Sequence, residues 1–378
     1  MDNSDYPVIL VHGMFGWGAD EGINKKIPYW GANALKVTDF FEEHGMECYA
    51  ASVGPISSAW DRACELYARL TGTTVDYGKA HSEKYGHRRF GRKYDKPLFD
   101  GWSSEKKIHL IGHSFGGNTV RMFAYLMTYG SEEERKATGS DELSGLFAGG
   151  RESFIKTVVT LCAPHNGTVA FAVARQYGIV KILEAVAYNY IGVAGRSKLQ
   201  GKFVDFHCEQ FGLSNTPGIK DAIKIRHAKK NMKSVNDNIE YDMSPEGSAA
   251  LNKTIEISPD IYYYSYAFDS VTETKRIFPE NTDFFFLKLT SLLIIFNGYI
   301  KKTDKSRLHN DGLVDVDSAL HPADEPFTDY CSDDVKKGIW NVMPVHRGDH
   351  GTAIGLFAGK SETAKFYEEI IDLLRTQD

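Results

Sequence analysis

Gly112-His113-Ser114-Phe115-Gly116 sets a serine between two glycines, after the apolar run Ile108–Ile111 and before a helix-patterned segment. A strand, a sharp turn and a helix in that order expose a hydroxyl at the tip of the turn, where it can act as a nucleophile. The flanking glycines suit such a turn, because a strained elbow needs neighbours without side chains. A serine hydroxyl is a weak nucleophile until a base takes its proton, an acid orients that base and donors receive the oxyanion. A second apolar run, Tyr6–Val11, opens into His12-Gly13-Met14-Phe15-Gly16-Trp17-Gly18. Amides in a loop of that kind can point at a substrate with no Cβ in the way. Met14 N–H is the natural donor there, and Phe115 N–H, just after the serine, is the second.

Chain order narrows the partners, since on an alternating α/β scaffold the serine comes first, then the acid, then the histidine. His346 and His350 both fall between the last strand pattern, Gly338–Val345, and the last helix pattern. His350 is preferred because Gly348 and Gly351 bracket it in a loop free to present the ring. Asp311 lies in the turn His309–Val314 and is followed by a glycine, with Asp315 and Asp349 as alternatives. In these roles His350 takes the Ser114 proton, Asp311 steadies the imidazolium, and the Met14 and Phe115 amides hold the oxyanion.

Several elements must position these groups. Helix spacing covers Asn33–Gly45 and Ala59–Leu70, and strand patterns cover Glu47–Val53, Phe154–Leu161 and Ile261–Phe268. Strands alternating with helices predict a mostly parallel sheet covered on both faces, here in one domain spanning 1–378. Thr71–Phe99 reads as a long irregular loop. Thr168–Gly195 is apolar at helical spacing but carries Arg175, Lys181 and Glu184, which suits a core helix or an amphipathic lid hinged at Gly178, Gly192 and Gly195. Residues 200–257 read as polar and mostly helical, and Phe284–Phe296 as an apolar helix beside an acyl-binding cleft. Ser361 is expected to cap a last helix that buries Phe366, Tyr367, Ile370, Ile371, Leu373 and Leu374.

Forty-four Lys and Arg against 50 Asp and Glu leave a net charge of −6 and no basic stripe, which argues against a nucleic-acid partner. Cys48, Cys64, Cys162, Cys208 and Cys331 are odd in number and lack any CxxC, so buried free thiols are expected. No apolar run is long and uncharged enough for a transmembrane segment. Met1-Asp-Asn-Ser-Asp5 has the marks of no signal peptide, which suggests either a cytoplasmic protein or a chain that starts at a mature end.

One further group attracts notice. His81 and His87, with Asp61 and Asp237 from elsewhere, have the chemistry of a closed tetrahedral zinc site. Their spacing matches no common zinc pattern, and surface histidines remain the plainer reading of the spacing alone.

Taken together, YPVILVHGMFGWG (Tyr6–Gly18), SAWDRACE (Ser58–Glu65), VDYGKAHSEKYGHRRFG (Val75–Gly91), the serine elbow, APHNG (Ala163–Gly167), NDGLV (Asn310–Val314) and Gly348–His350 run nearly the whole chain in one order. The chain thereby resembles the bacterial true lipases of the Geobacillus and staphylococcal type. That resemblance implies an α/β-hydrolase fold, secretion, hydrolysis of long- and medium-chain glycerol esters, and a helical lid that opens at lipid surfaces. It carries the catalytic roles onto Ser114, Asp311 and His350, and structural zinc onto Asp61, His81, His87 and Asp237. It also implies a zinc-binding insertion over 56–105 and lid or cap insertions over 167–235 and 270–305. The family usually binds calcium through acidic residues two and seven positions after the catalytic histidine. Those positions are Thr352 and Phe357 here, so this calcium site is expected to be lost. Phe115 stands where the family usually has Gln or Met, and its ring could narrow the pocket. The alternatives are a carboxylesterase for short-chain esters or polyesters, and a non-catalytic binding protein on the same fold.

Overall fold

The structure is a computed structural model and describes residues 6–32, 34–139, 142–170, 205–211, 236–273, 277–280, 282, 285–301, 308–356 and 358–376. Seven strands lie side by side: β1 (Val8–Val11), β2 (Cys48–Ala51), β3 (Ile108–His113), β4 (Ile155–Leu161), β5 (Tyr262–Tyr266), β6 (Phe327–Asp329) and β7 (Trp340–Val342). Their order is β2-β1-β3-β4-β5-β7-β6, and every pairing is parallel.

A sheet buried on both faces needs apolar side chains on both, and the period-two geometry of a strand divides them. Ile9, Val11, Leu110 and Val158 share one core with the helices α2 (Ala59–Thr71) and α3 (Phe115–Tyr129), below. Val8, Leu10, Ile111 and Val159 share the other with α1 (Val37–Glu43) and α5 (Lys360–Arg375). The remaining long helix, α4 (Phe285–Lys301), packs elsewhere. On α5, Tyr367, Ile370, Ile371, Leu373 and Leu374 are buried as their spacing predicts, each burial worth about 1.5–3 kcal/mol.

Several expectations need correcting. Thr71–Phe99 is ordered: Thr74–Asp76 pairs antiparallel with Phe90–Lys93 around a short helix, Lys79–Tyr85. Its polar composition hid this, because the segment buries few side chains, chiefly Val75, Tyr77, Ser82 and Phe99, and is closed by the Arg89–Asp76 ion pair at 2.9 Å. Helix α1 begins only at Val37, since Gly31 turns the chain at φ 99° and Val37 N–H bonds back to Trp30 O. Ser361 is not the cap of α5. Gly359 is, and Thr363 donates both N–H and hydroxyl to its carbonyl. The strand expected at Gly338–Val345 shortens to Trp340–Val342, and the edge strand Phe327–Asp329 follows no alternating pattern. Residues 205–211 are irregular with one 3-10 turn rather than helical, His207 turning the chain at φ 48°, whereas Ile239–Asp242 and Pro245–Thr254 are helices. Of the thiols, Cys48, Cys64 and Cys162 are buried, but Cys208 is only partly so and Cys331 is exposed.

The expected lid helix falls almost entirely on 171–204, and it and Gly178, Gly192 and Gly195 lie outside the described residues. No helix among the described residues is long and apolar enough to cross a membrane.

Candidate active site

After β1 the chain crosses to β2 on one side and returns to β3 on the other. Ligand crevices in open parallel sheets form at the carboxyl ends of strands at such a switch point. The loop after β1 carries Gly13 and Met14, and the turn after β3 carries Ser114. The two are in contact. A Cβ on Gly13 would sit 2.7 Å from Ser114 Cβ and 3.1 Å from its Oγ, so only glycine lets the loop approach the hydroxyl.

Ser114 adopts φ 56° and ψ −131°, an uncommon conformation for a residue with a side chain. The turn is held by Ser114 N–H to Leu161 O at 2.8 Å and Gly117 N–H to Ser114 O at 2.9 Å. The flanking glycines are obligatory. A Cβ on Gly112 would overlap the Gly116 carbonyl, and one on Gly116 would overlap the Val11 carbonyl.

His350 and Asp311 meet twice. Asp311 Oδ2 accepts from His350 Nδ1 at 2.7 Å, and Asp311 O accepts from the His350 amide at 2.8 Å. An aspartate there makes Nδ1 the protonated nitrogen and leaves Nε2 free as a base. Asp311 Oδ1 is fixed by the amides of Leu313 at 2.9 Å and Val314 at 2.7 Å. Gly312 turns the loop at φ 101°.

Two of the three alternatives are engaged elsewhere. His346 stacks on Phe268 with centroids 5.2 Å apart and lies 3.7 Å from Glu369. Burial, and then the Asp311 charge, push Asp315 up to about 7. Asp349 uses Oδ1 on the amides of Gly351 and Thr352 at 2.9 and 3.1 Å. Of the two bracketing glycines, only Gly348, at φ 145°, needs to be one; Gly351 is right-handed.

Neither Met14 N–H nor Phe115 N–H has an acceptor among the described residues. Both loops are braced from behind by a residue with no role legible from the sequence. Arg62, wholly buried on α2, donates to the carbonyls of His12 and Gly54 and to Thr119 Oγ1 on α3 at 2.8 Å. Its guanidinium lies 5.5 Å from the Phe115 ring centroid. Burial pulls Arg62 down to about 10, which leaves it cationic at neutral pH. Burial, with Arg62 next, lowers His12 to about 3 and keeps it neutral. Phe115 is itself fully buried, so its ring lines no open pocket.

A second cluster forms behind α2. One ligand atom each from Asp61, His81, His87 and Asp237 lies within 4.8 Å of the others. His81 Nε2 is 3.3 Å from Asp61 Oδ1 and 3.4 Å from Asp237 Oδ2, and His87 Nε2 is 3.3 Å from Asp237 Oδ2 and 4.0 Å from Asp61 Oδ1. Bonds of about 2.0–2.1 Å to one tetrahedral zinc put ligand atoms roughly 3.3 Å apart. The same four atoms are buried without any hydrogen-bond partner. The second shell agrees. His87 Nδ1 meets Arg88 O at 2.9 Å, which leaves Nε2 a lone pair, and Gln210 donates to Asp61 Oδ2 at 3.1 Å. Burial and the Asp237 charge push Asp61 up, so two carboxylates this close call for positive charge between them. A third grouping, His113, Cys162 and His350, also comes within 4.8 Å. Its imidazoles are committed to hydrogen bonds, and burial with the Asp311 charge holds the Cys162 thiol protonated.

The family model described as "Lipase-like, C-terminal domain" matches residues 4–378. The chain belongs to that family. It is 37% identical to Lipase 2 of Staphylococcus aureus over 98% of this chain and 54% of the relative, so it spans about half the length of the curated relatives it matches. The Staphylococcus hyicus lipase structure superposes with a TM-score of 0.83 at 31% identity, covering 99% of this chain and 96% of that one. EstA from Clostridium botulinum gives 0.80 at 33% identity, covering 98% and 87%. The fold of this lipase-like chain is accordingly that of the α/β-hydrolases.

Proposed function

We propose that the chain is a serine hydrolase of carboxylic esters, and within that class a triacylglycerol lipase. The observation that carries this reading is the 2.7 Å contact between His350 Nδ1 and Asp311 Oδ2, with the His350 ring centroid 4.7 Å from that of His113, the residue before the strained Ser114 elbow. His350 Nε2 accepts the Ser114 proton as Oγ attacks the ester carbonyl, and the negative oxygen is received by the Met14 and Phe115 amides. The same proton goes to the leaving alcohol, and water then repeats the sequence on the acyl-enzyme. Arg62 keeps its charge behind both donor loops, where the field favours an oxyanion.

Asp61, His81, His87 and Asp237 would hold zinc, which supplies a structural cross-link and no step of the reaction. Those residues would tie α2 to the Lys79–Tyr85 helix and to the segment before Ile239. Calcium is not needed on this reading. Thr352, at one family ligand position, exchanges hydrogen bonds with Asp349 that already order the His350 loop; Phe357, the other, lies outside the described residues. A cap over the site is supported by α4, where Thr290 donates to Gly312 O of the acid turn at 2.5 Å and a Cβ on Gly312 would lie 2.9 Å from Leu287 O.

Fluorophosphonate labelling tests the reaction class: wild type should carry one adduct on Ser114 and Ser114→Ala none. Absence of an adduct on folded wild type would leave only a binding role. Tributyrin separates the substrate classes. A lipase gains activity as the ester passes its solubility limit, whereas saturation below that limit would make the protein a carboxylesterase.

A further inference from the structure

Between the oxyanion loop and the His350 loop stands a pair of side chains that the triad scheme does not use. Gly13 N–H donates to Tyr29 Oη at 3.0 Å. Tyr29 Oη lies 2.7 Å from His113 Nδ1, and His113 Nε2 lies 2.9 Å from the backbone carbonyl of His350. A carbonyl only accepts, so His113 carries its proton on Nε2 and a lone pair on Nδ1. The Tyr29 hydroxyl must then donate to Nδ1 while accepting from Gly13, and each donor in the chain has one acceptor. Burial, and then the charge of neighbouring His350, keep His113 neutral, as this pattern requires. The Tyr29 ring is held edge-on by His12, Trp17 and Trp30 at centroid distances of 5.6–5.7 Å.

We infer that Tyr29 and His113 are positioning residues that set the distance between the oxyanion donors and the general base. The inference rests on the Ser114–His350–Asp311 reading. Asp311 orients the His350 ring by its side chain, but the ring's distance from Ser114 also depends on where the His350 backbone sits. His113 fixes that backbone from the residue adjoining the nucleophile. Tyr29 extends the hold to Gly13, whose amide adjoins the Met14 amide proposed for the oxyanion. Misplacement of reacting groups by about 1 Å can cost on the order of a hundredfold in rate, which is the scale at which one hydroxyl matters here.

The test uses Tyr29→Phe, His113→Gln and His113→Asn in the full chain, with kcat and KM on p-nitrophenyl butyrate and sites counted by fluorophosphonate titration. Tyr29→Phe should lower kcat per titrated site by about tenfold to a hundredfold and leave KM within about twofold. Gln can place a donor where Nε2 stood, whereas Asn reaches only the Nδ1 position, so His113→Gln should retain several times the kcat of His113→Asn. A wild-type kcat per site in Tyr29→Phe overturns the inference, and so does equal activity of the Gln and Asn variants. Should the His113 variants fail to fold, Tyr29→Phe decides alone. Failure of wild type to react with the phosphonate sinks the hydrolase reading instead, so the two failures are distinct.

Discussion

At the residue scale the question is which carboxylate serves His350. Asp311 reaches Nδ1 at 2.7 Å, while Asp315 is half-buried, pushed up to about 7 by desolvation and by Asp311, and poorly suited to steady an imidazolium. Asp311→Asn keeps an acceptor for Leu313 and Val314 but disturbs the tautomer of His350. Its kcat on p-nitrophenyl butyrate should fall by about 10³–10⁴-fold, with Asp315→Asn within about threefold of wild type. A larger loss in the Asp315 variant would reassign the acid. The candidate serine, histidine and acid could be named from the sequence because glycine punctuation and chain order leave few places for them. Arg62 and Tyr29 were not, since their partners are carbonyls, amides and an imidazole brought together from distant loops. The one available signal, Arg62 beside Asp61 in SAWDRACE, says nothing about which carbonyls the guanidinium meets.

At the element scale, the segment 205–211 is fastened by a buried ionic cluster. His207 lies 3.2 Å from both Glu21 and Glu65, and Arg92 reaches Asp205 at 2.7 Å and Glu209 at 2.6 Å. Burial and Arg92 oppose protonation of His207, yet the two glutamates outweigh both and push it up to about 10. A folded-state value above the ordinary 6.5 stabilises fully below about pH 6.5 and loses that contribution as pH rises toward 10. Glu21, whose burial is outweighed by His207, is brought down to about 2 and acts in the opposite sense, its contribution fading as pH falls below its ordinary 4.5. His207→Gln should therefore cost roughly 3 kcal/mol at pH 6, and denaturant titrations from pH 6.5 to 10 should show a flatter decline than wild type. An unchanged slope would mean that His207 is neutral. The elbow gives a second expectation: Gly116→Ala, whose Cβ overlaps the Val11 carbonyl, should cost at least about 2 kcal/mol or prevent folding, as judged by urea unfolding.

At the scale of the whole molecule, the four orphaned ligand atoms predict that metal and stability are coupled. Dialysis against a chelator should lower Tm by several degrees, and zinc should restore it where magnesium does not. Asp237→Asn should show the lower Tm from the start and respond weakly to zinc. Added calcium should leave Tm unchanged; a clear rise would show that other oxygen ligands rebuild the family's calcium site.

The sequence by itself determined the sheet strands that are continuous apolar runs, the elbow, and the order of Ser114, Asp311 and His350. Those features are local, because a buried parallel strand or a glycine-flanked turn is written in adjacent residues. It left open whether Asp61, His81, His87 and Asp237 meet, for their spacing alone suits scattered surface groups as well. It also misread Thr71–Phe99 and missed strand β6, where few buried side chains leave little pattern. Only the tertiary structure decided these matters. A ligand set, a buried guanidinium or a hydroxyl between two loops depends on how far apart the fold holds residues that lie up to 237 positions apart in the chain.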